Sequence, residues 1–152
     1  MVEEIARYET NSEAATVEAG ESFARDVLGR PVVVALRGEL GAGKTHFVKG
    51  IAAFFGIDAR ELTSPTYALV NEFECVSHAD QVQRLYHLDC YRFERADELR
   101  ELGVEEYLAP QRAVTVIEWP ERIEQLLPAA RIEICIEVTS ATHREILVRR
   151  VA

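Results

Sequence analysis

Val32-Val33-Val34-Ala35-Leu36-Arg37-Gly38-Glu39-Leu40-Gly41-Ala42-Gly43-Lys44-Thr45 is the stretch from which the architecture is read. Val32 to Leu36 form a continuous apolar run rich in β-branched residues. That is the pattern of a strand covered on both faces, as in a parallel sheet. The eight residues from Gly38 fit G-x-x-x-x-G-K-[ST], the phosphate-binding loop. A helix is predicted from about Lys44 to Phe55, with Phe47, Val48, Ile51, Ala52 and Phe55 on one face and Gly56 at its end. At average composition such a match arises by chance in roughly one chain in two hundred of this length. Only two of the seventeen basic residues here are lysines, Lys44 and Lys49, which makes chance rarer still. The spacing has a physical reason. Glycines let backbone amides approach an anion closely, and a helix N-terminus adds its unpaired N–H groups.

Upstream, Ala19, Phe23 and Val27 recur at four-residue spacing and predict a helix from about Ser12 to Leu28, stopped by Gly29 and Pro31. Thr10 and Glu13 have the spacing of a capping box at its start. Downstream, Tyr67 to Phe73 and Leu85 to Tyr91 read as an antiparallel strand pair. The acidic segment Glu94 to Glu106 reads as helical, broken by Gly103. Ala113 to Ile117 is a second buried strand, followed by a short helix from Glu121 to Leu127. Ile132 to Val138 and Ile146 to Val151 alternate and pair as a hairpin. The order α-β-α, β-β, α-β-α-β-β predicts a single P-loop NTPase-like α/β domain over residues 1–152, a mixed sheet flanked by helices.

The whole-chain properties narrow the function. The net charge is −9, opposite in sign to that of a free-standing nucleic-acid binder, and anionic lipid would repel it. No DNA or membrane partner is expected. No window approaches about 18 uninterrupted apolar residues. The start, Met1-Val2-Glu3-Glu4, is acidic with no signal-length apolar run after it, so a cytoplasmic protein is expected. Cys75, Cys90 and Cys135 form no CxxC pair, which argues against zinc and for reduced thiols in strands.

Within the loop, Lys44 is expected to reach the β- and γ-phosphates and the Thr45 hydroxyl to ligate Mg²⁺. A second acidic group is needed near the metal. Glu118, the first acid after the Ala113–Ile117 strand, is the candidate, either on Mg²⁺ directly, through water, or orienting the attacking water; the alternative is an exposed strand-end carboxylate. Asp89, inside an apolar segment, is costly unless paired or at a site. It reads either as a carboxylate near the γ-phosphate or as a partner of Arg92. His87 shares its strand face by alternation and reads equally well as structural. Thr66, in Ser64-Pro65-Thr66, suits a loop that senses the γ-phosphate, or a plain turn. Trp119 reads as core or as pocket wall. No Asn-Lys-x-Asp guanine motif occurs, which favours ATP.

Gly38 to Thr45, Ser64 to Tyr67, His87-Leu88-Asp89-Cys90-Tyr91-Arg92 and Ile117-Glu118-Trp119-Pro120, in that order, resemble the TsaE (YjeE) family of small bacterial P-loop ATPases. The resemblance spans about Thr10 to Val148. It implies a part in installing the threonylcarbamoyl group on adenosine next to the anticodon in tRNAs that read ANN codons. The partners it implies are TsaB and TsaD, with tRNA met indirectly through that complex. ATP binding and hydrolysis would reset the complex between turnovers. Residue by residue, it puts Gly41, Ala42, Gly43, Lys44 and Thr45 on the nucleotide loop, and Thr45 and Glu118 on the magnesium site. Asp89 falls on the family's acidic position and Thr66 on its switch-like loop. Asn11 and Ser12 lie where the adenine pocket begins, and Arg144 matches a basic residue near the nucleotide. His46 stands where many members carry a second Thr; its backbone amide is still expected to serve the α-phosphate. A small-molecule kinase and a non-catalytic, nucleotide-gated interaction module are the alternatives. The short acidic stretch after Glu118 speaks against a kinase lid.

Overall fold

The computed structural model describes residues 1–62, 70–78 and 80–152. β1 (Val2–Thr10) leads into α1 (Glu13–Val27), and β2 (Val32–Arg37) into α2 (Lys44–Phe54). β3 (Val70–Glu74), β4 (Arg84–Asp89), α3 (Ala96–Glu101), β5 (Ala113–Glu118), β6 (Arg131–Val138) and β7 (Arg144–Val151) follow. The strands make one seven-stranded sheet in the order β1-β7-β6-β2-β5-β4-β3. β6, β2, β5 and β4 run parallel in its middle. β7 pairs antiparallel with both β6 and β1 on one side, and β3 pairs antiparallel with β4 on the other.

Parallel strands bury both faces, so both must be covered. α1 and α2 cover one face, where Phe23, Phe47 and Ile51 pack on Val34, Leu36, Val116 and Ile134. On the other, α3 and the 3-10 segments Val104–Leu108 and Pro120–Leu126 lay Leu99, Val104 and Ile123 on Val33, Leu88 and Ile117. β5 is buried at every residue. Its apolar run, broken only by Thr115, and the continuous run Val32 to Leu36 of β2 are the sequence mark of this two-sided burial. The chain leaves β2 towards β4 and β3 and returns later to β6 on the opposite flank. A crevice therefore opens outside the carboxyl end of β2, the position at which α/β sheets take their ligands.

α1 and α2 touch backbone to backbone. A Cβ on Gly50 would stand 2.0 Å from the Val17 carbonyl oxygen, and one on Gly20 2.1 Å from that of Phe47. Glycine inside a helix costs about 0.5–1 kcal/mol relative to alanine. Local preference thus favours alanine at both positions, and only the helix contact forbids it.

Several boundaries differ from the sequence reading. β1 was not expected. Four of its nine residues are charged, and a register shift between Glu4 and Ala6 interrupts the alternation that marks a strand. Thr10 therefore ends a strand instead of capping a helix. Ser12 is the N-cap, its Oγ accepting from the Ala15 N–H at 3.0 Å. The strand expected from Tyr67 is seen over Val70–Glu74; residues 67–69 lie outside the described residues. β4 stops at Asp89, where the Tyr91 N–H turns back to Asp89 Oδ1. The short helix after Trp119 is a 3-10 segment, Pro120–Leu126. The hairpin, the antiparallel pair and the mixed sheet form as expected. Burial lifts the thiols of Cys75 and Cys90 to about 11 and about 12, so both sit as protonated, apolar side chains.

Replacing Gly50 by alanine is expected to cost about 1–3 kcal/mol or more, the usual range for overpacking. Urea unfolding monitored by circular dichroism checks it. A midpoint equal to that of the unaltered protein would show that the helices separate without cost.

Candidate functional site

The crevice beyond β2 is a cavity of about 540 Å³, of ordinary ligand-site size. Its floor is the loop between β2 and α2. Gly43, the residue before α2, has φ +105° and so holds a left-handed angle that other residues resist; it offers no side-chain cap. The first N–H groups of α2, those of Lys44, Thr45 and His46, have no acceptor one turn back in the helix. They meet the cavity with the positive end of the helix dipole.

Lys44 is buried, although it carries the loop's charge. Its ammonium donates to the Gly38 carbonyl at 2.6 Å and lies 3.8 Å above the Trp119 ring. Burial pulls this ammonium below its ordinary pKa. The carboxylates of Glu118, Glu121 and Asp89 oppose that fall by Coulomb attraction. Trp119 reaches this place through a left-handed backbone, φ +58°, and packs beside Tyr91 with ring centroids 4.9 Å apart. It is a pocket wall, and its indole also rests on the α3-side core.

Opposite the lysine stand two acids at strand ends. β4 and β5 pair with Asp89 beside Glu118, so both side chains leave the same face of the sheet. Glu118 is buried and its Oε2 lies 2.6 Å from His87 Nε2. Asp89 is half-buried and accepts from the Tyr91 amide at 3.0 Å. Thr45 is exposed at the cavity, in the first turn of α2. His46 follows, 3.6 Å from Glu13 across the gap between α2 and α1.

The remaining wall comes from the start of α1 and the β6–β7 turn. Asn11, Ser12 and Thr16 line one side. Thr16 donates to the Ser12 carbonyl at 3.1 Å and lies 2.9 Å from the Thr10 hydroxyl, which ties β1 to the first turn of α1. Arg144 lines the cavity and also braces the loop from outside, donating to the carbonyls of Ala42 at 3.1 Å and Gly41 at 3.4 Å. Ala42 is buried beneath the loop, away from the lining. Behind the loop, Arg37 binds Glu133 at 2.6 Å and Glu124 at 3.0 Å, anchoring the end of β2 to β6 and to the segment that follows Trp119.

Of the residues singled out in the sequence, Asn11, Ser12, Gly41, Gly43, Lys44, Thr45, His46, Asp89, Glu118 and Arg144 converge on this one cavity. Thr66 lies outside the described residues. Sequence reasoning missed Thr16, Ala141 and Thr142, which also line it. Thr16 carried a signal, one helical turn beyond the cap; the other two sit in a turn that only the sheet topology carries to the site. Among the described residues no three His, Cys, Asp or Glu side chains gather as a metal cluster. The oxygens of Thr45, Glu118 and Asp89 are the sparse, hard set that suits magnesium shared with a phosphate ligand.

A central parallel sheet that passes a glycine loop from β2 into α2, beneath acidic strand ends, places the chain in the P-loop NTPase-like class of α/β proteins. Residues 10–146 match the family model of "Threonylcarbamoyl adenosine biosynthesis protein TsaE". The chain belongs to the TsaE family. It is 43% identical to the Bacillus subtilis tRNA threonylcarbamoyladenosine biosynthesis protein TsaE over 114 residues, 75% of this chain and 66% of that protein. The Rickettsia bellii protein of the same name is 34% identical over 134 residues, 88% of either chain. The crystal structure of Bacillus subtilis YdiB superposes with a TM-score of 0.76 at 33% identity, covering all of this chain and 88% of that one.

Burial of Lys44 costs the ligand-free fold. Lys44→Met is therefore expected to raise the urea midpoint at neutral pH. Because the folded pKa is lowered, the gain is full below it and shrinks as pH rises through the ordinary lysine range near 10.4. A lower midpoint at pH 7 would show that the Gly38 and Trp119 contacts outweigh the desolvation.

Proposed function

We propose that the chain binds Mg-ATP at this cavity, hydrolyses it slowly, and uses the cycle in threonylcarbamoyl modification of adenosine next to the anticodon of tRNAs reading ANN codons. The observation that carries the reading is the meeting, on one cavity, of the α2 N–H groups, the Lys44 ammonium and the Glu118–Asp89 pair. Amides and ammonium suit a phosphate chain. Acids side by side on neighbouring strands suit its metal and an attacking water. Family membership supports the tRNA pathway.

In this reading the triphosphate lies along the loop, with the Lys44, Thr45 and His46 amides on its oxygens. Lys44 exchanges the Gly38 carbonyl for the β- and γ-phosphates. Thr45 and Glu118 would hold magnesium, which would supply charge neutralisation at the phosphate oxygens. Glu118 or Asp89 orients a water in line with the γ-phosphorus, and Thr66 senses the γ-phosphate. Water adds to phosphorus, the bond to the bridging β–γ oxygen breaks, and ADP and phosphate leave. Asn11 and Ser12 border the base, and Arg144 steadies the loop. With a net charge of −9, the chain is suited to meet tRNA through partners, TsaB and TsaD, whose complex the cycle resets.

Phosphate release from Mg-ATP, measured with and without purified TsaB and TsaD, tests this. Slow release alone and strong stimulation by the pair are expected; ATP bound without stimulation would instead favour a nucleotide-gated module. Two variants probe the site. Lys44→Ala should lose ATP binding by calorimetry, and unchanged affinity would sink the phosphate reading. Glu118→Ala should keep nucleotide but lose magnesium-dependent turnover, and turnover at the original rate would remove Glu118 from the chemistry.

A further inference from the structure

The two charges that face each other across the cavity do not satisfy one another. Lys44 turns its ammonium to the Gly38 carbonyl and the Trp119 face. Glu118 turns Oε2 to His87, with both of those side chains under one-tenth exposed. A buried carboxylate without a donor is costly, and the nearest opposite charge would ordinarily claim it. Register explains why it does not. Asp89 pairs with Glu118, so His87, two residues earlier on β4, sits diagonally behind Glu118 on the same sheet face. At 2.6 Å it is within direct hydrogen-bonding reach.

The ring's tautomer follows from the same contact. A carboxylate in its ionised form only accepts, and toward that form the ring donates from Nε2. Nδ1 is buried with no hydrogen-bond partner among the described residues. Donation from Nε2 also occupies one carboxylate oxygen and leaves the other for the cavity.

We propose that His87 is a positioning residue: its Nε2–H holds the Glu118 carboxylate back from Lys44, so that a phosphate and its metal find the lysine and the glutamate already apart. This rests on the reading of Glu118 as a magnesium-site residue. Partners behind a ligand commonly change metal affinity 10–100-fold when removed. Loss of His87 should therefore weaken the magnesium dependence of nucleotide binding, and, by freeing Glu118 to pair with Lys44, lower metal-free nucleotide affinity to a lesser extent.

The test uses His87→Phe, which fills the space without a donor, and His87→Gln, whose amide restores one. Calorimetry on the whole chain measures ATP affinity without metal and the Mg²⁺ concentration that half-saturates its effect. Expected for His87→Phe is a rise of tenfold or more in that concentration, with a smaller fall in metal-free affinity as Glu118 pairs with Lys44. His87→Gln should recover most of the loss at equal urea stability. A magnesium dependence unchanged in His87→Phe, or no recovery in a folded His87→Gln, overturns the proposal. If His87→Phe does not fold, the glutamine variant and a second measurement carry the test. Nitrogen-15 NMR of the ligand-free protein should show the His87 ring protonated at Nε2 alone, and protonation at Nδ1 alone would overturn the pairing. Failure of the unaltered chain to bind ATP would instead reject the nucleotide reading, a result separable from the tautomer.

Discussion

Two helices pressed together at Gly20 and Gly50 set the width of the site. The start of α1 carries Ser12 and Thr16; the start of α2 carries Lys44, Thr45 and His46. Both ends face one cavity because the helix bodies lie as close as backbones allow. A single methyl group at either glycine would have to push the helices apart. The strain would be felt where Thr16 comes against Gly43, at the mouth of the loop. The contact also covers the sheet, since Phe23 on α1 and Phe47 on α2 meet with ring centroids 5.6 Å apart above the core. Packing and site geometry are thus one constraint.

Around that frame, charges are arranged so that each is balanced by something other than its counterpart across the cavity. Arg37 gathers carboxylates from β6 and the segment after Trp119, fixing the strand end that feeds the loop. Arg144 spends its guanidinium on loop carbonyls. The loop is therefore braced from two sides by cations that do not need a ligand to stay in place. Braced donors lose little freedom when an anion arrives, which is what preorganised electrostatics requires. The cavity lining itself is mixed in charge, Lys44 and Arg144 standing among Glu13, Asp89 and Glu118.

What was legible in the sequence was what depends on near neighbours. The glycine loop combines scarce residue types at fixed spacing, and β2 and β5 carry apolar, β-branched runs, that of β5 broken only by Thr115. Glu118 stood out as the first acid after such a strand, and Asp89 as an acid inside an apolar segment. What escaped depends on contacts between distant segments. β1 is an edge strand, half in solvent and bulged, so its pattern is weak without β7 beside it. Thr10 and Ser12 both suit a cap; pairing of Thr10 with Arg144 in the sheet settles the choice for Ser12. Gly20 and Gly50 read as flaws in helices until the helices are seen to touch. The His87–Glu118 bond follows from strand register, which no single segment contains.

Trp119 is the chain's one tryptophan. Its ring forms the cavity wall, with the Lys44 ammonium 3.8 Å from its centre and Tyr91 alongside. An indole is sensitive to charge above its face, and here that charge is the group a bound anion would draw away. The protein therefore carries an intrinsic optical gauge of its own site. No other indole dilutes its emission, and no label is needed to follow the movement of the lysine.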